Sequence, residues 1–115
     1  MKQELINILE KICPGNVYLQ GTFATNAEYP ESFITFWTNY TADHAHYDDD
    51  VHSVDWNFSV IFYSSDQALV DSKPDEIRKA LKKAGFIPQG KGSDVFSDKP
   101  SHTGWAMEFI RTEIL

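Results

Sequence analysis

Three histidines and three consecutive aspartates within nine residues form the densest group of metal-ligating side chains in this sequence. They are His44, His46, Asp48, Asp49, Asp50 and His52. Imidazole and carboxylate groups bind zinc and other divalent ions, but an i, i+2 histidine pair shares a face only in an extended segment. No HExxH spacing accompanies them. We interpret the group as a solvated acidic loop over residues 41–53, and retain His44, His46, Asp48 and His52 as candidate metal ligands.

The segment GFIPQGKG, residues 85–92, nearly matches the phosphate-binding pattern GxxxxGK[ST]. Gly92 stands where that pattern needs a Ser or Thr hydroxyl to hold magnesium. The phosphate-binding pattern also follows a strand and opens a helix, whereas this segment follows a predicted helix. The sequence therefore indicates a glycine-rich turn here rather than a nucleotide site.

Two further groups of residues invite a catalytic interpretation. Asp94, Asp98 and His102 lie within nine residues and could form an acid–base group, but a connection rich in turns explains the same aspartates. Cys13, the single cysteine, ends an apolar helical pattern and is predicted to be a buried structural thiol. We predict no catalytic residue and no cofactor.

Composition and charge narrow the possible partners. The chain has 115 residues, 42% of them apolar, and a formal net charge of -7. Residues 1–66 carry ten acidic and two basic side chains, whereas residues 67–115 carry seven acidic and eight basic ones. Nucleic-acid binding needs clustered Lys and Arg, so sequence-specific nucleic-acid contact is not expected. An acidic half favours contact with a protein surface of opposite charge.

No apolar run reaches the length of about 18 residues that a membrane-spanning helix needs. The first residues, MKQELINILEKI, are amphipathic and lack the continuous apolar core of a signal peptide. We therefore expect no membrane contact, and a protein that resides or assembles in the cytoplasm.

The elements that would position these residues can be predicted from periodicity. Residues 2–12 have the apolar spacing of a helix. Strands are predicted over 17–23, 32–40 and 54–63, with a turn at 26–31. In the second of these strands, simple alternation predicts that Ile34, Phe36 and Tyr40 share one face. In the third, apolar residues alternate with polar ones, which is typical of an antiparallel sheet with one partly wet face.

A second helix is predicted to begin at Ser72 as N-cap, with Pro74 in its first turn and Gly85 just beyond its end. Short strand pieces at 86–89 and 95–96 and a closing strand over 105–114 complete the chain. The resulting order is α-β-β-β-α-β-β. We predict one α+β domain over residues 1–115, with a mainly antiparallel sheet and two helices packed on one of its faces.

Several ordered motifs resemble a known family of phage proteins. They are WNFSVIFYSSD in a strand, LKKAGF at a helix end, QGKGSDVFSD and HTGWAMEF, with FITFWTN and HYDDD upstream. In this order they are similar to small proteins encoded in the head–tail region of tailed phages and prophages of Gram-positive bacteria. Those phage proteins are described as tail completion, tail terminator or minor capsid proteins. The resemblance covers about four-fifths of the chain.

The resemblance implies a virion component without enzymatic activity that is assembled in the host cytoplasm. Such proteins form a ring, often a hexamer, that ends the tail tube and meets the head connector. The implied partners are further copies of the chain, the tail-tube protein and the connector protein. Irregular, polar positions are the candidate interface residues: Asp48, Asp49, Asp50, Lys91, Asp94, Asp98 and His102.

Two other functions remain open from the residues alone. One is a small metal-dependent enzyme, or a metal-binding protein, that uses the His/Asp segment 44–52. The other is a host-encoded α+β module that binds a protein partner.

Overall fold

The computed structural model of the chain describes residues 2–19, 30–47, 50–96 and 101–114, which form two helices and a six-stranded sheet. The helices are α1 (Lys2–Ile12) and α2 (Gln67–Lys83). The strands are β1 (Val17–Leu19), β2 (Ser32–Tyr47), β3 (Asp50–Ser64), β4 (Ile87–Pro88), β5 (Ser93–Phe96) and β6 (Thr103–Ile114). The predicted α+β class is confirmed. The short pieces predicted at 86–89 and 95–96 are two separate strands, so three strands follow α2 instead of the two in the predicted order.

The strand order across the sheet is β1-β2-β3-β6-β4, and β5 also pairs with β6. β1 runs parallel to β2, and every other pairing is antiparallel. β4 and β5 lie one after the other along the same side of β6, with Ile87 opposite Ile110 and Val95 opposite Gly104. The sheet is therefore mainly antiparallel, as the alternation in β3 predicted.

The core lies between one face of the sheet and the two helices, and we call this face the helix face. Period-2 alternation directs every second strand residue toward it, and the helices contribute residues spaced three or four apart. Its fully buried members include Leu5, Leu9, Ile34, Phe58, Val60, Ile77, Leu81 and Phe109. Burial of each such side chain contributes about 1.5–3 kcal/mol. The opposite face, which we call the open face, carries neither helix.

The N-cap of helix α2 lies six residues before the predicted one, so the prediction of Ser72 as N-cap is wrong. Asp66 is the cap, and its carboxylate accepts a 3.0 Å hydrogen bond from the Ala68 amide. Pro74 consequently lies inside the helix, where its ring is buried. An internal proline removes one backbone hydrogen bond, and burial of Val70 in the preceding turn holds the helix together there. Gly85 does follow the helix end, with a φ of 95°.

The predicted loop over residues 41–53 is also wrong where the structure describes it, because β2 continues to Tyr47 and β3 begins at Asp50. Their ladder pairs Thr41 with Trp56 and Asp43 with Val54, and the last pair is Tyr47 with Asp50. Polar side chains can occupy strands when both faces are exposed, since the ladder uses backbone groups alone. The chain forms a long hairpin instead of a loop.

A register shift between Thr38 and Tyr40 changes which face the following residues occupy. Tyr40 pairs with Asn57, and the Asn57 amide donates a 3.4 Å hydrogen bond to the Tyr40 hydroxyl. Tyr40 therefore lies on the open face, not with Ile34 and Phe36 as alternation predicted. The extra residue of a bulge reverses the phase of a strand.

Two predicted elements can be compared only in part. The strand predicted over 17–23 is confirmed for Val17–Leu19. Its remainder and most of the predicted turn at 26–31 lie outside the described residues.

Candidate interaction surface

The hairpin of β2 and β3 extends well beyond the helices. The molecule measures 54 by 27 by 22 Å, and a strand of 16 residues such as β2 spans about 50 Å by itself. Thr41, Ala42 and Asp43 are exposed. We call residues 41–55 the hairpin arm. At its base, β6 adds a third strand, because Thr112 pairs with Asp55 and Ile114 pairs with Ser53.

Two strand edges, one of β2 in the arm and one of β6 at its base, are hydrogen-bonded on one side only. β1 pairs with β2 only over Ile34–Phe36, so among the described strands β2 is unpaired on its outer side beyond that point. β4 pairs with β6 only at Phe109 and Ile110, so within the described part of the chain Arg111–Ile114 also shows one free side. Unpaired strand edges present backbone donors and acceptors that another chain can use.

A hydrogen-bonded network of polar side chains crosses the open face at the base of the arm. The Trp37 indole donates to Asn39 Oδ1 at 2.7 Å. Asn39 Nδ2 in turn donates to Asn57 Oδ1 and to Ser59 Oγ, each at 2.7 Å. Asn57 is only 2% exposed, so its amide needs these partners. The network fixes the bulged segment against β3 and thereby the position of Tyr40.

The glycine-rich segment that resembles a phosphate loop is a turn between β4 and β5, folded against β6. The Trp105 indole donates to the Lys91 carbonyl at 2.8 Å, and the backbone N–H of Gln89 donates to the backbone carbonyl of Glu108 at 2.8 Å. The segment joins two strands, so it lacks the strand-to-helix context of a nucleotide site. The prediction of a turn is confirmed.

A shallow groove of about 490 Å³ lies beside this turn. Its lining residues come from β3, the turn, β5 and β6, and they include Ser59, Gly90, Lys91, Ser93, Ala106 and Glu108. Lys91 and Glu108 are both exposed, and no ion pair involves either of them among the described residues. The groove thus presents one cation and one carboxylate to solvent.

His102 is held in the interior at the start of β6, where it is 8% exposed. Its Nε2 lies 2.8 Å from the Pro30 carbonyl and its Nδ1 lies 2.9 Å from Ser101 Oγ. A carbonyl only accepts, so Nε2 carries the proton and Nδ1 accepts from the serine in the neutral ring. The ring thereby links the chain before β2 to β6.

The other candidate residues of this region are placed differently. Asp94 is exposed in β5, opposite Trp105 in the register. Asp98 lies outside the described residues. His102 therefore has a structural role. Of the predicted acid–base group, the described residues Asp94 and His102 do not form a common site.

The candidate metal ligands lie at the end of the hairpin. His44 and His46 belong to β2 and His52 belongs to β3, but the side chains of residues 44–52 are outside what the structure describes. Asp48 and Asp49 are outside the described residues altogether. Where side chains are described, no group of three or more His, Cys, Asp or Glu residues is arranged to hold a metal ion. The metal site stays a prediction.

The prediction that Cys13 is buried is confirmed, and its thiol is 3.5 Å from the Ser32 carbonyl. Burial raises the pKa of the Cys13 thiol, while the charge of Lys73 partly opposes that change. Protonation at neutral pH makes this cysteine a poor nucleophile.

Sequence reasoning missed the apolar residues exposed on the open face. Tyr40, Ile87 and Ile114 are 54%, 59% and 80% exposed, respectively. The bulge at Asn39 places Tyr40 on that face, and the pairing of Ile87 with Ile110 places Ile87 there. Neither feature has a signal in the local sequence.

Comparisons with known proteins add no assignment. No model of a known protein family matches the chain, and no curated protein is significantly similar to it. Neither of the described helices is long and apolar enough to cross a membrane.

Proposed function

We propose that this protein is a structural component of a phage virion, acting at the junction of tail and head. In this role several copies form a ring that ends the tail tube and joins it to the head connector. The resemblance of its sequence motifs to those of phage head–tail proteins suggests this role, and the hairpin arm is the structural observation that supports it.

The arm suits assembly because it is held at its base and projects from the helical layer. The strands in and beside the arm offer unpaired edges, counting the described strands: Trp37–Tyr47 of β2 and Arg111–Ile114 of β6. A ring needs two different surfaces on each subunit, so that each copy contacts the next. The edge of β2 on one side of the sheet and the edge of β6 on the other meet this requirement.

The charge of the arm supports a contact with another protein. Residues 41–55 contain five aspartates and neither Lys nor Arg. Clustered charge of one sign steers association and selects a partner of opposite sign. Interface candidates Asp48, Asp49 and Asp50 belong to this group.

Deletion of the gene from the phage that encodes it tests the proposal. We expect separated heads and tails by electron microscopy, and restored infectivity when the wild-type gene is supplied. The triple variant Asp48→Lys, Asp49→Lys, Asp50→Lys should fold but fail to restore full infectious yield. Joined, infectious virions from the deletion strain would contradict the proposed role.

Metal binding is a second candidate because the backbone brings the histidines to one end of the hairpin. His46 is opposite Val51 and Ala45 is opposite Ser53, so residues 44, 46 and 52 lie near the same end of the hairpin. A metal that binds only the native state must raise the melting temperature. A zinc-dependent increase that is lost in His44→Ala would favour this candidate, and an unchanged melting temperature would remove it.

A further inference from the structure

The exposed apolar side chains of the described residues are concentrated on the open face. Four large apolar residues are strongly exposed, and three of these, Tyr40, Ile87 and Ile114, lie on this face. Single exposed apolar residues are common on protein surfaces. Their concentration on a face without helices indicates a surface that a partner covers.

These residues follow the geometry of the sheet. Tyr40 pairs with Asn57, Asn57 pairs with Ile110, and Ile110 pairs with Ile87. Paired residues share a face, so these residues form a row across β2, β3, β6 and β4, in which Asn57 is the polar member. Ile114 lies farther along β6 on the same face. We call Tyr40, Ile87, Ile110 and Ile114 the open-face patch.

The shape of this surface selects the kind of partner. A row across four strands spans about 14 Å at the usual strand spacing, and the groove beside it is shallow. Small ligands are bound in concave pockets that enclose most of their surface. A sheet face instead packs against a second sheet face at about 10 Å.

The charges beside the patch favour a second copy of this chain as that partner. Lys91 and Glu108 line the adjoining groove, both are exposed, and neither forms an ion pair among the described residues. Asp55, on the same face, accepts a 2.6 Å hydrogen bond from Thr112. A surface with one free charge of each sign complements itself, because a two-fold axis places each charge opposite its counterpart.

The extents of the molecule leave room for such a pair. A stable interface buries about 800 Å² on each partner, and the sheet belongs to a molecule that is 54 Å long and 27 Å wide. The patch supplies the apolar centre, and Lys91 and Glu108 supply a polar rim, which is the usual anatomy of an interface.

We propose that two copies of this chain pack open face against open face about a two-fold axis. The open-face patches bury each other, and Lys91 of each copy pairs with Glu108 of the other. This contact goes beyond the proposed function and does not depend on it. It uses the sheet face, whereas the proposed ring uses the strand edges and the hairpin arm.

Sedimentation velocity over a range of protein concentrations tests the apolar part of this contact. We expect a concentration-dependent dimer, with a dissociation constant at least tenfold higher in Ile87→Lys and in Ile114→Lys. Leu19→Lys is the matched control, because Leu19 is also exposed, at 42%, but lies on the helix face of β1. Circular dichroism checks that each variant is folded.

A charge swap tests the two-fold arrangement. Lys91→Glu and Glu108→Lys should each weaken the dimer, and the double variant should restore it, because each swapped charge again meets its opposite. A wild-type chain that is monomeric at every concentration would overturn the proposal. So would a dimer that Ile87→Lys leaves intact, or a double variant as weak as the single ones.

Electron microscopy separates this outcome from that of the proposed function. If Ile87→Lys still forms rings and its dimer dissociation constant equals that of the wild type, the open-face contact is overturned and the proposed ring is unaffected. If the double charge variant restores the dimer but deletion of the gene leaves virions joined and infectious, the open-face contact is supported and the proposed function is overturned.

Discussion

Strands β2 and β3 differ sharply between their two halves. Near the helices, Ile34, Phe58 and Val60 are fully buried against α1 and α2. Beyond Asn39, the same two strands continue as the hairpin arm, where Thr41, Ala42 and Asp43 are exposed. On β2, backbone pairing therefore continues at positions whose side chains are exposed.

This difference shows how a small domain can support a long projection. An isolated two-stranded hairpin is only marginally stable in water. Here the buried half holds the register, and β6 extends the support to Ile114 opposite Ser53. The body consequently carries the stability of the fold, while the arm is left available for contacts. Substitutions in the buried half should therefore change the free energy of unfolding more than substitutions in the arm.

The largest expected effect comes from removing a core side chain in the covered half. Phe58 is fully buried and its ring lies 6.1 Å from that of Phe86. Phe58→Ala should lower the free energy of unfolding by about 3–5 kcal/mol, because it removes apolar contacts and leaves a cavity. Urea denaturation followed by circular dichroism measures this loss.

Thr41→Ala is the matched variant in the arm, on the neighbouring strand. An exposed substitution away from the core should change the free energy of unfolding by no more than about 0.5 kcal/mol. A loss comparable to that of Phe58→Ala would show that the arm is packed as tightly as the body, and the contrast would fail.

An intermediate effect is expected at the turn that folds onto β6. Gly92 has a φ of 102°, and a Cβ there would lie 2.3 Å from the Ala106 carbonyl oxygen. Gly92→Ala should cost about 2–4 kcal/mol, since it adds backbone strain to an overlap with backbone atoms.

Gly90→Ala provides the control within the same turn. Gly90 has a φ of 80°, but a Cβ there would meet nothing within 4 Å. The cost should be only about 1–2 kcal/mol, from the left-handed backbone conformation. Equal losses in the two variants would show that close packing against β6 contributes nothing.

Much of the body was predictable because its signals are local. The apolar spacing of Leu5 and Leu9 predicts α1, and the alternation around Phe58 predicts β3 and its buried face. The errors arose where distant contacts decide the outcome. Val70 is buried by tertiary packing, so α2 begins before Ser72. The Asn39 bulge, which moves Tyr40 to the open face, depends on the pairing of β2 with β3.

The candidate surface was harder to predict than the fold. Composition over residues 41–53 is polar and indicates a loop, but backbone hydrogen bonds across a hairpin do not depend on polar or apolar side chains. Ile87 joins Ile110 on one face only through the antiparallel pairing of β4 with β6. A single sequence contains no local signal for that pairing, so the open-face patch emerges only from the assembled sheet.

The smallest expected effect of breaking a side-chain interaction lies at the boundary between body and arm, where Arg111 closes the helical layer. Its guanidinium lies 5.0 Å from the centroid of the Phe86 ring and forms an ion pair with Glu4 of α1. Arg111→Met keeps an apolar stem but removes both charge interactions, and should lower the free energy of unfolding by about 1 kcal/mol.

Glu4→Gln separates the two contributions, because it leaves the cation over the Phe86 ring in place. Both partners of the ion pair are partly exposed, at 24% for Arg111 and 55% for Glu4, so the pair is screened by solvent. We expect a loss of about 0.5 kcal/mol in Glu4→Gln at low salt, and a smaller one in 1 M salt, where screening acts within about 3 Å. Urea denaturation at both salt concentrations measures the difference. A loss that does not change with salt would mean that Glu4 supports the end of the helical layer by packing rather than by charge.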